Sequence, residues 1–131
     1  KEHKIKNIEF LGFKSGEELE DIIKGARFTL IPSIWYDNLP NTALESFQYS
    51  KPVIASNIGS LPELVVDGEN GYLFKPADAE DLIKKIKLLD DDTVVEKMGA
   101  ASRRRLESRF SPETHYEALM KVFSEAVKNN K

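Results

Sequence analysis

The sequence contains no cysteine, which excludes disulfides, thiol nucleophiles and zinc–thiolate sites. Its 2 histidines, His3 and His115, lie far apart along the chain, so we expect no metal site. No apolar run approaches the roughly 20 residues that a membrane-spanning helix needs, and no signal-peptide pattern opens the chain. Any chemistry must therefore depend on carboxylates, amides, hydroxyls and backbone groups.

The composition is that of an ordinary globular protein, with 40% hydrophobic and 31% charged residues. A chain of 131 residues can bury one modest core, so we expect one domain or part of one. The net charge of −3 argues against a nucleic-acid partner. The one compact basic run, Arg103-Arg104-Arg105, has a helical and Glu-containing context, and we interpret it as a solvated helix face.

Short apolar runs rich in β-branched and aromatic residues alternate with helical patterns, which is typical of an α/β fold. These runs predict four strands, at residues 8–11, 28–31, 52–55 and 72–74. The chain ends in helices, and the last carries an apolar stripe that we expect to be a packing surface, exposed in part if a second domain is missing. The stripe consists of Tyr116, Leu119, Met120, Phe123 and Val127.

Capping residues predict where four helices start. Ser15 and Glu18 form a capping-box pattern, and Asn41, Asp78 and Ser111 each precede a helical pattern as a candidate N-cap. Pro62 is expected to open one further short helix.

The most informative stretch runs from residue 29 to residue 63. The second predicted strand stops at Pro32, an irregular loop follows, and a helix then begins near Asn41. Asp37 lies in this loop and Glu45 in the first turns of the helix. Ligands in open α/β sheets bind at the carboxyl ends of strands, and carboxylates suit vicinal sugar hydroxyls, so both side chains are candidates for one cleft. Considered alone, each could equally be a solvated surface acid.

The order and spacing of several motifs resemble the donor-binding domain of retaining GT-B glycosyltransferases, most closely glycosyltransferase family 4 (group 1). The motifs are LIPS at 30–33, the acid at Asp37 separated from Glu45 by seven residues, KPVIAS at 51–56, GSLPE at 59–63 and GYLF at 71–74. The resemblance implies a Rossmann-like three-layer parallel sheet, the C-terminal half of a GT-B enzyme. Residues 1–131 would be a partial nucleotide-sugar-binding domain with C-terminal helices, short at its N-terminal side, and the N-terminal acceptor domain would be absent.

The resemblance also implies site residues. As the catalytic pair, Glu45 would accept hydrogen bonds from ribose hydroxyls, and Asp37 would bind hydroxyls of the donor sugar. The other implied contacts are Asn38, Leu39, Asn41 and Thr42 for the donor sugar and phosphates, and Gly12, Phe13 and Lys14 for the nucleobase.

Three positions depart from the family pattern. Asp37 stands where glutamate is usual, and it is shorter by one methylene. Asn38-Leu39-Pro40 replaces an aromatic–glycine pair, and Pro40 has no N–H to offer a phosphate. Ser50 replaces a turn glycine before Lys51-Pro52, which bears on packing rather than chemistry.

The implied activity is retaining, hexosyltransferase-type transfer from a nucleotide sugar such as a UDP- or GDP-sugar, without a cofactor, in polysaccharide or glycolipid biosynthesis. The acceptor, a glycan, a lipid-linked or a small molecule, would be held by the missing domain, so the fragment alone is expected to be inactive. The expected location is the cytoplasm, with peripheral contact at the inner membrane face as an option for the full-length protein.

Three alternatives stay open. A signalling receiver-like domain shares the size and the α/β alternation, but it needs an acidic pair after the first strand, where this chain has Phe13-Lys14. A non-catalytic nucleotide- or protein-binding module could share the fold, since fold alone does not determine function. The third alternative is a nucleotide-sugar epimerase of GT-B architecture. Adding a free sugar acceptor changes the product of a transferase but not that of an epimerase.

Overall fold

The computed structural model describes residues 5–130, in which six helices and three strands alternate. In chain order they are α1 (Gly16–Gly25), β1 (Thr29–Ile31), α2 (Asn41–Gln48), β2 (Val53–Ser56), α3 (Leu61–Leu64), β3 (Gly71–Phe74), α4 (Ala79–Lys87), α5 (Asp92–Arg109) and α6 (Pro112–Asn129).

The three strands form one parallel sheet in the order β1-β2-β3. Val53 pairs with Thr29 on one side and with Gly71 on the other. All residues of the central strand β2 are buried, as expected for a parallel strand that helices cover on both faces. The predicted parallel α/β fold is confirmed.

Two apolar clusters lie on opposite faces of this sheet. Successive residues of a strand point to opposite faces, and accordingly Val53 belongs to one cluster and Ile54 to the other. The first cluster joins the sheet to α2 and α3, chiefly through Phe47, and the second joins it to α4 and the start of α5. Because Leu106 packs on the first cluster, α5 contributes to both layers.

The predicted strand at residues 8–11 is wrong. The segment is irregular and exposed, and the Phe10 side chain is 96% accessible. A short apolar run becomes a strand only if a neighbouring strand supplies hydrogen bonds and a core covers it, and here neither condition is met. Residues 5–130 therefore contain three strands instead of the expected four.

Two of the predicted caps differ from the structure. Pro40 occupies the N-cap position of α2, so Asn41 is the first helical residue and does not cap the helix. Ser15 does occupy the N-cap of α1, but its side chain makes no capping hydrogen bond. The caps at Asp78 and Ser111 are confirmed, since each side chain accepts a hydrogen bond from the backbone N–H three residues later.

The interpretation of the basic run as a solvated helix face is wrong for two of its three residues. Arg103 donates through Nη1 to the Gln48 carbonyl at 2.7 Å, which ties α5 to the end of α2. Arg105 donates through Nη2 to the carbonyl of Glu63 in α3 at 2.6 Å. Arg104 alone is exposed to solvent.

The apolar stripe of α6 is not a packing surface within the described part of the chain. No residue of this helix is buried, and all five members of the stripe are exposed. No helix within residues 5–130 combines the length and the apolar composition that a membrane span requires.

Candidate functional site

Two loops meet at the carboxyl edge of the sheet, where β1 and β2 both end. The first, residues 32–40, follows β1 and leads into α2, and the second, residues 57–60, follows β2. Ser60 joins them, because its backbone N–H and its hydroxyl donate to the Asp37 carbonyl oxygen at 3.4 and 3.0 Å. The backbone of Asp37 is thereby attached to the end of the most buried strand.

The close approach of these loops requires a glycine at position 59. Gly59 has a φ of +60°, in the left-handed region that favours glycine. A Cβ on this residue would lie 3.1 Å from both the backbone N and the backbone O of Asp37. The position of Asp37 therefore depends on the absence of a side chain in the neighbouring loop.

The Asp37 carboxylate lies at the protein surface beside the start of α2. Its Oδ1 accepts a hydrogen bond from the Asn38 N–H at 2.8 Å. Asn38 and Leu39 are exposed, as are Asn41 and Thr42 in the first turn of the helix. First-turn N–H groups lack acceptors inside a helix, so this turn offers donors and a positive dipole end to an anion. The structure thus brings five of the nine predicted site residues together along one segment.

Glu45, on the same helix, lines a groove of about 190 Å³ between α1 and α2. The groove is also lined by Gly16, Glu20 and Tyr49. Asp37 is not among the residues that line this groove, so the structure does not bring the two predicted acids into one cleft.

Glu20 gives this groove a second carboxylate. Its interaction with the Tyr49 side chain, and secondly with the Lys24 ammonium, lowers the pKa of Glu20 and so favours the carboxylate form. Lys24 Nζ also lies 5.1 Å from the centroid of the Tyr49 ring. A groove with two carboxylates favours neutral hydroxyl groups over phosphates.

The predicted nucleobase residues lie in the irregular segment before α1. Gly12 has a φ of +68°, and Phe13 is 93% exposed. The Lys14 ammonium forms an ion pair with Glu18. None of the three lines the Glu45 groove, although Gly16, two residues after Lys14, does so. The structure places this segment next to the groove without bringing the three side chains into it.

Comparison with known proteins adds an independent observation. Residues 1–105 match the sequence profile of the family described as Glycosyl transferases group 1. The chain belongs to this family. The match confirms the resemblance drawn from the motifs, and the GT-B fold follows with it.

Individual relatives agree with this family. An uncharacterized glycosyltransferase of Methanocaldococcus jannaschii is 32% identical over 92% of this chain and 34% of its own length. The structure of Anabaena HepE in complex with UDP superposes with a TM-score of 0.81 at 22% identity, over 92% of this chain and 33% of HepE. The C-terminal domain of a group 1 glycosyltransferase, LpcC of Francisella tularensis, has a TM-score of 0.70 at 25% identity, over 79% and 53% of the two chains. This chain spans about a third or less of the length of the curated relatives that it matches.

Several residues around the site of this glycosyltransferase domain were not predicted to have a role. Gly59 and Ser60 belong to the GSLPE motif, but the motif alone does not show that they contact the Asp37 backbone. Glu20 and Tyr49 have no sequence signal as a pair, since they come from different helices and meet only when α1 lies beside α2.

Proposed function

We propose that this domain binds a nucleoside diphosphate sugar, from which the complete protein transfers the sugar to an acceptor with retention of configuration. The observation that carries the proposal is the junction at the carboxyl edge of the sheet. There Ser60 holds the backbone carbonyl of Asp37, whose carboxylate precedes the open first turn of α2, and Glu45 of the same helix lines a groove.

The charges of these surfaces suit different parts of such a donor. The diphosphate carries the negative charge and belongs at the first turn of α2, where N–H donors are available at Asn41 and Thr42. The ribose is neutral and belongs in the groove, where Glu45 accepts hydrogen bonds from its hydroxyls. Asp37 accepts hydrogen bonds from the sugar, with Asn38 and Leu39 beside it. Gly12, Phe13 and Lys14 would contact the base.

In the proposed mechanism the acceptor attacks on the same face that the diphosphate leaves, and the leaving diphosphate assists removal of the acceptor proton. No protein nucleophile is needed, so Asp37 positions the sugar. The domain uses no cofactor besides its substrate. The solved complex of HepE with UDP favours a UDP-sugar over a GDP-sugar as donor.

The acceptor is proposed to be held by residues outside these 131, since the curated relatives are about three times as long. Under this division of labour the 131-residue chain binds donor but transfers no sugar. The complete protein would work in the cytoplasm, with peripheral membrane contact if its acceptor is a lipid.

The test is a titration of the chain with UDP, GDP and ADP and their sugar conjugates, followed by amide NMR shifts. We expect one nucleotide to shift the amides of residues 41–45. Glu45→Gln should weaken the binding of that nucleotide about tenfold, because one charge-assisted hydrogen bond is lost. Asp37→Asn should weaken binding of the sugar conjugate but leave binding of the free nucleotide unchanged, because in this proposal Asp37 contacts only the sugar.

The matched control is Glu96→Gln, which removes an exposed carboxylate on α5 that lines no groove or cleft of the site. Nucleotide binding that Glu45→Gln leaves unchanged, or that Glu96→Gln weakens equally, would contradict the proposed role of Glu45. If no nucleotide binds either this chain or the complete protein, the proposed function is wrong.

A further inference from the structure

A second cleft, larger than the Glu45 groove, borders the Asp37 loop from the other side. It has a volume of about 390 Å³ and lies between Leu39, α3 and the C-terminal turns of α5. Its charged lining residues are Arg105, Arg109 and Glu63. We call it the arginine cleft. Its size falls within the range of roughly 300–1,000 Å³ that is usual for small-ligand sites.

Arg105 is held in this cleft in a fixed orientation. Its Nη2 donates to the Glu63 carbonyl at 2.6 Å, which anchors one edge of the guanidinium group. Its Nε is buried and has no hydrogen-bond partner in the described part of the chain. Buried donors of a charged group are nearly always paired, because leaving one unpaired is unfavourable.

Arg109 adds a second positive charge on the same helix face. It lies four residues after Arg105, so the two side chains are neighbours, and like charges at this spacing repel each other. Within residues 5–130 no carboxylate forms an ion pair with either arginine, although Glu63 lines the same cleft. Arg103, by contrast, is paired with Glu107.

The helix dipole explains only part of this arrangement. Arg109 is the last residue of α5, where a cation stabilises the negative helix end. That effect falls off within the last turn, and it favours a solvated arginine. It does not account for the second arginine, Arg105, which lines the cleft four residues before the helix end and forms no ion pair with a described carboxylate.

We propose that the arginine cleft binds the anionic group of a small ligand, a phosphate monoester or a carboxylate. The planar guanidinium of Arg105 offers such a group the N–H donors at its outer end that Glu63 does not occupy, and Arg109 provides a second, exposed charge. Leu39 lines the cleft and also belongs to the loop proposed to contact the donor sugar. A ligand anchored here therefore borders the donor site, so we assign its anionic group to the acceptor, whose remaining parts are held by residues outside these 131. This last step rests on the proposed function, whereas the anion site does not.

The test uses the 131-residue chain, titrated separately with inorganic phosphate and with acetate at constant ionic strength and followed by amide NMR shifts. We expect at least one of the two anions to shift the amides of Glu63 and Phe110 at the cleft. Arg109→Gln should weaken this binding about tenfold without unfolding the domain, because Arg109 is exposed. Preference between the two anions distinguishes a phosphate site from a carboxylate site.

The matched control is Arg104→Gln, which removes the same charge from the same helix but outside the cleft. Equal weakening by Arg104→Gln and Arg109→Gln would show a diffuse charge effect and overturn the proposal, as would the absence of shifts at Glu63 and Phe110. Failure of the proposed function has a different readout, since nucleotide binding is followed at residues 41–45. The cleft can bind phosphate whether or not the groove binds UDP.

Discussion

At the scale of single residues, the candidate site depends on a backbone contact as much as on its carboxylates. The Asp37 carbonyl accepts two hydrogen bonds from Ser60, and Gly59 leaves room for that approach. A side chain at position 59 must push against backbone atoms, which cannot move away as a flexible side chain can.

We therefore predict that Gly59→Ala weakens sugar-nucleotide binding by more than its effect on stability implies. The left-handed φ makes alanine unfavourable by about 1 kcal/mol, and the added Cβ also displaces the Asp37 loop. Gly68→Ala is the control, because Gly68 has a φ of +81° but open space around it. Thermal unfolding should show similar stability losses, while a binding titration should separate the two variants. Equal binding by both would show that the Gly59 contact is unimportant.

Ser50 is a second residue at which the backbone conformation determines the effect of a substitution on stability. The sequence comparison with the family suggested a packing role for this position, but the structure shows a φ of +55° on an exposed non-glycine residue. We predict that Ser50→Gly stabilises the domain by about 0.5–1 kcal/mol, the relief of left-handed strain minus the greater entropy of unfolded glycine. Chemical denaturation measures this difference. A loss of stability would mean that the serine is not strained.

The sequence pointed to Asp37 and Glu45 because their spacing belongs to a family motif, and the structure places both at the surface near the start of α2. The sequence could not show that Glu45 lines a groove to which Asp37 does not belong. That depends on Pro40, which starts the helix, and on Tyr49 and Glu20, which meet across two helices. Contacts between distant residues have no local pattern in a sequence.

At the scale of elements, α5 can pack against the rest of the domain only because Gly99 lies inside it. A Cβ at this position would overlap the Ser50 carbonyl oxygen, in the turn between α2 and β2. The helix therefore approaches a backbone that is itself held by Arg103, which donates to the Gln48 carbonyl.

We predict that Gly99→Ala destabilises the domain by about 1–3 kcal/mol through this overlap, although alanine is the better helix former. Gly25→Ala is the matched control, since Gly25 is also helical but has open space around the added Cβ. Gly25→Ala should be neutral or stabilising in a denaturant titration. If Gly99→Ala also stabilises, α5 must be free to shift away from Ser50.

Strands were predictable where a core covers them and not elsewhere. The runs that became β1, β2 and β3 pair with one another and contribute to the two apolar clusters, whereas the similar run at 8–11 has no strand neighbour in the described residues. The boundaries of α5 were not predicted. Its apolar residues serve two clusters, with Met98 on one face of the sheet and Leu106 on the other, so they form no single stripe.

At the scale of the whole molecule, the apolar residues that stabilise the domain and the apolar residues that are exposed lie in different elements. Phe47 is fully buried between α2 and the sheet, whereas Phe123 on α6 is 55% exposed. We predict that Phe47→Ala costs about 3–5 kcal/mol of unfolding free energy, and that Phe123→Ala costs less than about 1 kcal/mol. Denaturant unfolding of the two variants compares them directly. A large effect at Phe123 would show that α6 is covered in solution.

The sequence by itself determined the parallel α/β class and the family, and it predicted the two acids as candidates, because buried periodicity and motif spacing are local properties of the chain. Only the tertiary structure decided that Ser60 holds the Asp37 backbone, that Glu45 shares a groove with Glu20, and that Arg105 and Leu39 line the same cleft. The physical reason is that these features are created by packing. Each needs two segments that the sheet and its helices bring together, and neither segment alone specifies the other.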